Sequence, residues 1–274
     1  MALSEPFPTL PELLASMGEA GQRMNDIEAC EGAAGNISIC VGWPLELGAI
    51  FPNAEPVELP LAVPALAGMV VLVSGSGQRL RDIQRDPAAC VGAVAIDAEG
   101  RRGTLHSAPQ RAFARVTSEF NSHLAVHHDQ LARGGGNFHA LIHAQPPYLT
   151  YLSQIAAYRD EDFCNRRLLR WEPETIINLP EGIGVLPFLL PGSPDMMEAN
   201  VASLRAHQLT LWSKHGLMAR SDAGVLRAAD RIDYIETAAR YEYMDMVAGG
   251  RGEGLSDEEL RAVVRAFDVP TTLY

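Results

Sequence analysis

The side chains best suited to chemistry in this sequence are its eight histidines, and all of them lie in the C-terminal two-thirds of the chain. His143 closes the apolar run 138–143 just ahead of Gln145-Pro146-Pro147, and His215 sits in the bend Lys214-His215-Gly216 between two more apolar runs. Strand ends over a sheet are where ligands and catalytic groups collect. Two imidazoles placed there can offer neutral nitrogen ligands to a divalent cation, or can be half-buried histidines held by hydrogen bonds. Glu119 follows Thr117-Ser118 at an expected helix start. A carboxylate there can move protons, or can simply complement the helix dipole for about 0.3–1 kcal/mol. The turns Ser74-Gly75-Ser76-Gly77 and Gly35-Asn36 can cradle a phosphate with backbone N–H groups and hydroxyls. Neither is followed by Gly-Lys-Ser/Thr, so neither is a nucleotide-binding P-loop.

The elements that must position these groups follow from periodicity and punctuation. Apolar residues at Leu13, Leu14, Met17, Ala20, Met24 and Ile27 predict a helix over 10–29, and 37–41 reads as a strand. The Pro-rich stretch 44–64 predicts irregular or edge structure. The run 69–73 predicts a strand feeding the Ser-Gly turn, and 91–96 and 103–106 predict a hairpin around Asp97-Ala98-Glu99-Gly100. A helix capped by Thr117 or Ser118 is expected to run to about Arg133 and end at Gly134-Gly135-Gly136, before a strand over 138–143. Helices are expected over 148–157 and 162–171, with two strands, 175–179 and 184–190, flanking Pro180-Glu181-Gly182. Pro194 opens a helix to His207, a strand pair over 209–213 and 216–219 bends at His215, and a long helix covers 224–248. Ser256-Asp257-Glu258-Glu259 is a capping-box start for a last helix. Several adjacent strands are joined by turns too short for a parallel crossover. The expected fold is therefore α/β, a mainly antiparallel central sheet with helices on both faces, in one domain spanning 1–274.

Composition bounds the partners. Lys and Arg number 22 against 34 Asp and Glu, a formal net charge of −12, and 47% of the residues are hydrophobic. Such a charge repels phosphate backbones at long range, so neither nucleic acid nor an anionic membrane is an expected partner. A small phosphorylated substrate remains compatible, held locally by amides. Cys30, Cys40, Cys90 and Cys164 form no C-x-x-C pair, which predicts reduced thiols. The N-terminus lacks a basic region ahead of an apolar core, and no uncharged apolar run reaches the roughly 18 residues that span a bilayer, so the expected location is the cytoplasm.

Taken in order, the segments EGAAGNISI, VLVSGSG with RDIQRDPAACVGAVAIDAEG, TSEFNSHLAVHH, ALIHAQ, PEGIGVLPFLLPG and LTLWSKHGLMA resemble the class II aldolase/adducin-head family, most of all its rhamnulose-1-phosphate aldolase branch. The resemblance implies a mainly antiparallel sheet between helices and a homotetramer with active sites at subunit interfaces. It implies His143 and His215 as ligands of a divalent metal, usually zinc, and Glu119 as the acid/base, with Glu174 matching a second functional carboxylate. Asn36, Ser76, Gly77, Thr117 and Ser118 match positions that hold the substrate phosphate. The implied reaction cleaves a phosphorylated ketose into dihydroxyacetone phosphate and a small aldehyde. A bound cation acts there as a Lewis acid for the enediolate. The family also contains epimerases, dehydratases, decarboxylases and the non-catalytic adducin head.

The sequence departs from the pattern at two positions. The usual strand end is His-x-His, whereas this chain reads His143-Ala144-Gln145. Alternation on a strand would keep Gln145 on the His143 face, where its amide oxygen could join the metal and favour a harder ion such as manganese or magnesium. His139 is too far back along the same strand to substitute. At Ala33 the branch tends to carry a polar residue near the sugar hydroxyls. His123, His127 and His128 are expected on a solvated or hydrogen-bonded helix face, and Tyr234, Tyr241, Tyr243, Met244 and Met246 in core or subunit contacts.

Overall fold

The computed structural model describes residues 2–274. In chain order the helices are α1 (Leu10–Asp26), α2 (Leu80–Arg85), α3 (Pro87–Cys90), α4 (Phe120–Gly134), α5 (Pro147–Leu152), α6 (Glu161–Leu168), α7 (Pro173–Asn178), α8 (Pro194–Ala206), α9 (Val225–Val247) and α10 (Asp257–Ala266). The strands are β1 (Asn36–Val41), β2 (Asn53–Glu58), β3 (Val70–Ser74), β4 (Val91–Ile96), β5 (Arg102–Ser107), β6 (Phe138–Ala144), β7 (Gly184–Leu186), β8 (Leu209–Trp212) and β9 (Gly216–Ser221). They form a nine-stranded sheet in the order β2-β5-β4-β3-β1-β6-β9-β8-β7. Every neighbouring pair is antiparallel except β7 with β8.

Alternation along the central strands separates the two faces. Ile37, Ile39 and Val41 of β1 and Phe138, Ala140, Ile142 and Ala144 of β6 pack with the buried sides of α1, α5 and α9 in the main core. On the opposite face Cys40 and Leu141 pack toward α4 and α8. That face also carries a polar row, Asn36 and Ser38 of β1 beside His139 and His143 of β6, with Asn36 opposite His143 in the register. Helices thus lie on both faces, as the sequence predicts. Pro-rich 44–64 supplies only the exposed edge strand β2. All four cysteines are free and buried. Among the described residues no helix is long and apolar enough to cross a membrane.

The structure corrects several boundaries. Residues 175–179, expected as a strand, belong to α7 and its C-cap. Pro173 at the helix start supplies a helical φ, and Thr175 and Ile176 bury against neighbouring helices, which outweighs the strand preference of the β-branched run. The expected strand 184–190 is reduced to Gly184–Leu186, and the helix expected over 148–157 stops at Leu152. Met244, Met246 and Tyr241 on α9 are exposed rather than part of this chain's core.

One buried carboxylate braces the C-terminal half. Glu242 of α9 is fully buried and accepts hydrogen bonds from the Tyr158 hydroxyl, from Arg167 Nε at 2.7 Å and from Trp171 Nε1 at 2.9 Å. It thereby ties α9 to α6 and its flanks. Glu242→Ala strands these donors and is expected to lower unfolding free energy by about 3 kcal/mol. Urea titration would show this as a lower midpoint, and an unchanged midpoint would refute the bracing role.

Candidate active site

His143 is the penultimate residue of β6 and is almost fully buried. Its ring stacks on Trp212 with centroids 4.6 Å apart, and its Nδ1–H donates to the Leu217 carbonyl at 2.8 Å. Trp212 is itself held by donation from its Nε1 to Asn200 Oδ1 at 2.9 Å. The backbone bond fixes the tautomer and leaves the Nε2 lone pair facing Glu119 Oε2, 3.5 Å away.

His215 reaches the same place from the β8–β9 turn. Lys214 takes φ +66, and a Cβ on Gly216 would lie 2.4 Å from the Ala144 carbonyl oxygen. Only glycine lets this turn close onto the end of β6. The His143 and His215 rings are consequently 4.9 Å apart, and His215 Nδ1 is buried with no hydrogen-bond partner among the described residues.

Glu119 is the N-cap residue of α4, one position earlier than the first-turn placement the sequence suggests. Neither it nor Ser118 caps the helix through its side chain, while the Thr117 hydroxyl accepts from Glu119 N at 3.3 Å. The carboxylate, 6% exposed, is therefore free for other work and accepts from Asn36 Nδ2 at 2.7 Å. Burial pushes its pKa up, but His143, the Asn36 bond, His123 and His215 together outweigh that and leave it below the usual carboxylate range. Burial, with His143 beside it, drives His215 down to about 4 against the pull of Glu119, so it is neutral at physiological pH.

One ligand atom from each of Glu119, His143 and His215 lies within 4.8 Å of the others. Two imidazoles and a carboxylate make a donor set suited to a divalent transition ion. The carbonyl-anchored His143 and the unpartnered His215 nitrogen are what such an ion requires of its ligands. The residues present fit the group.

These three side chains share a 290 Å³ cavity with Asn36, Ser76, Gly77, Thr117 and Ser118. The Ser-Gly turn is anchored by Gly75 N to Cys90 O at 2.8 Å and Ser76 N to Arg115 O at 2.9 Å. A side chain at Gly75 would collide with the Phe113 ring, 2.2 Å from the nearest atom. The N–H groups of Gly77 and Ser118 and the hydroxyls of Ser76 and Ser118 have no hydrogen-bond partner among the described residues. They make an uncharged set of donors for an anion.

Of the expected residues, Gln145 lies at the edge of this cavity and Glu174 lies apart from it. β6 ends at Ala144, and Gln145 just beyond it lines the same cavity, with its backbone N bonded to Ala29 O at 2.7 Å. With its amide group oriented to satisfy its neighbours, Gln145 Nε2 donates to Glu31 at 2.9 Å, so its side chain is held by a carboxylate beside the cavity. Glu174 is exposed on α7 and does not line the cavity. Sequence reasoning also passed over Ser38 and the role of His139, which with His123 and His127 form a buried polar layer behind Glu119. The spacing of Glu119, His123 and His127 at four-residue intervals is the signal that marks that layer.

The fold and these residues define a class of protein that comparison identifies. The sequence model for the class II aldolase and adducin N-terminal domain matches residues 15–243. The chain belongs to this family. It is 28% identical over 225 residues to a rhamnulose-1-phosphate aldolase of Bacteroides thetaiotaomicron, covering 82% of each chain. It is 29% identical over 224 residues to one of Escherichia coli, covering 79% of each. A sugar-phosphate aldolase structure from Thermotoga maritima superposes with a TM-score of 0.74 at 23% identity, over 89% of this chain and 99% of that one. An L-fuculose 1-phosphate aldolase does so at 0.55 and 14% identity, over 97% and 100%. Family and relatives together indicate an aldehyde lyase.

Proposed function

We propose that this protein is a metal-dependent aldolase that cleaves a phosphorylated ketose, of the rhamnulose 1-phosphate kind, into dihydroxyacetone phosphate and a small aldehyde. The observation that carries this reading is the convergence of Glu119, His143 and His215 within 4.8 Å beside a cradle of unpartnered donors. His143 and His215 hold the divalent ion, zinc in the first instance, with the Gln145 side chain as a further donor at the edge of the site and the Glu119 carboxylate beside the ion. When bound, that ion polarises the ketose carbonyl and stabilises negative charge on the adjacent oxygens. Ser76, Gly77, Thr117 and Ser118 hold the phosphate with Asn36 beside them, so an acidic chain binds an anion without a compensating lysine or arginine in the pocket. Glu119 moves the proton at the carbon next to the carbonyl: it returns the proton on cleavage and removes it on synthesis. Glu174, exposed on α7, serves a neighbouring subunit's site in a homotetramer. The chain works as one domain, 1–274, in the cytoplasm.

The test is turnover of a panel of ketose 1-phosphates by protein loaded with zinc, manganese or magnesium, with dihydroxyacetone phosphate detected by a coupled dehydrogenase. Absence of that product from every substrate and ion would reject the aldolase reading. A linked expectation concerns the missing imidazole. Gln145→His should bind zinc roughly tenfold tighter, since imidazole is the better ligand for that ion. Competition against a chromophoric chelator measures this, and equal affinity would mean that position 145 does not face the ion.

A further inference from the structure

Behind Glu119 a chain of hydrogen bonds crosses the layer between α4 and the sheet. Asn36 Nδ2 donates to Glu119, and Asn36 Oδ1 meets His123 Nε2. His123 Nδ1 meets Ser38 Oγ at 2.6 Å, and the same Oγ meets His127 Nε2 at 2.7 Å. His127 Nδ1 then meets His139 Nδ1 at 2.8 Å. Each of these side chains behind the carboxylate is buried, with Ser38, His123 and His127 at 0% exposure.

The two periodicities make this contact continuous. Four residues along a helix advance about 6 Å, and two residues along a strand about 6.8 Å. Glu119, His123 and His127 on α4 therefore stay in step with Asn36 and Ser38 on β1.

The direction of every bond follows from its end. An ionised Glu119 only accepts, so Asn36 must turn its NH2 toward it and its carbonyl oxygen toward His123. His123 must then carry its proton on Nε2 and accept at Nδ1 from the Ser38 hydroxyl. Ser38 in turn accepts from His127 Nε2–H, and His127 accepts at Nδ1 from His139 Nδ1–H. His139 Nε2 ends the chain as a buried lone pair without a partner among the described residues. All three rings are neutral in this arrangement. Burial above all, with Arg220 near His139, drives His123 and His139 down to about 3 and His127 well below its ordinary value, which agrees with that state.

We infer that Ser38, His123, His127 and His139 are positioning residues that act through Asn36 to orient the Glu119 carboxylate. The inference rests on Glu119 being the acid/base proposed above. Hydrogen bonds aligned in one direction polarise each other, by about 10–30% per bond, and turn their positive ends toward the carboxylate. Asn36 is then a fixed link whose side-chain oxygen is committed to His123, and its contribution to the phosphate site is limited to its remaining N–H.

The first test reads the tautomers directly by nitrogen NMR on histidine-labelled parent protein, with resonances assigned from single histidine variants. His123 and His127 are expected as Nε2–H and His139 as Nδ1–H. A different tautomer at any of the three overturns the chain. This readout needs no substrate, so it stands apart from the aldolase reading: if no ketose phosphate were turned over by any form, that reading would fail while the tautomers still reported on the network. The second test is Ser38→Ala against Ser38→Thr, each first checked for a parent-like unfolding midpoint. Ser38→Ala should lower kcat about tenfold with KM held within about twofold, and Ser38→Thr, which keeps the hydroxyl, should recover most of the loss. Unchanged kcat in a folded Ser38→Ala, or equal losses in both variants, would refute the positioning role.

Discussion

Glu119→Gln is expected to lower kcat for ketose phosphate cleavage by about 10²–10⁴, the range over which a positioned acid/base contributes. The substitution keeps the shape of a side chain that is 6% exposed and keeps an oxygen to accept from Asn36 Nδ2. That same Oε2 lies 3.5 Å from His143 Nε2, so in the variant the amide oxygen takes its place toward both neighbours and the new NH2 falls at the Oε1 position. The fold should therefore survive, and phosphate binding through the Ser-Gly turn should hold KM close to that of the parent. Loss confined to kcat is the signature of an interaction made in the transition state. Steady-state kinetics on protein with matched metal content makes the measurement. A variant with full turnover would remove Glu119 from the chemistry.

His143→Ala is expected to weaken zinc binding at least about a hundredfold, because it removes a ligand together with the bond that orients it. The imidazole is buried, stacked on Trp212 and anchored to the Leu217 carbonyl, so no neighbouring side chain can replace it. The substitution also opens space beside Trp212 and frees a carbonyl, at a cost in stability of about 2 kcal/mol. His215→Ala should lose metal to a similar degree at a smaller structural cost, since that ring is only partly buried. Metal per chain after equilibrium dialysis, alongside the unfolding midpoint, separates ligand loss from general damage. If the folded His143→Ala protein retained zinc like the parent, the proposed centre would be wrong.

The capping box at Ser256 and Glu259, the glycine that ends α4 and the hairpin linking β4 and β5 are all local, and each is present in the structure where the sequence places it. Local signals failed where tertiary burial opposed them, as at 175–179, where a β-branched run became helix under Pro173 and beside α9 and α10. The site divides along the same line. The residue types, and the strand ends that carry Asn36, His143 and His215, are legible in the chain's order, because alternation, turn glycines and motif order are written in consecutive residues. Packing across the chain sets where β6 stops, before Gln145, places the Gln145 amide beside Glu31, and brings Glu119 to the two histidines while His123 and His127 line up with Ser38. Those relations depend on the register of β1 against β6 and on how α4 lies across them. Distant segments set that geometry by burying their apolar faces together, and no short stretch of sequence encodes it.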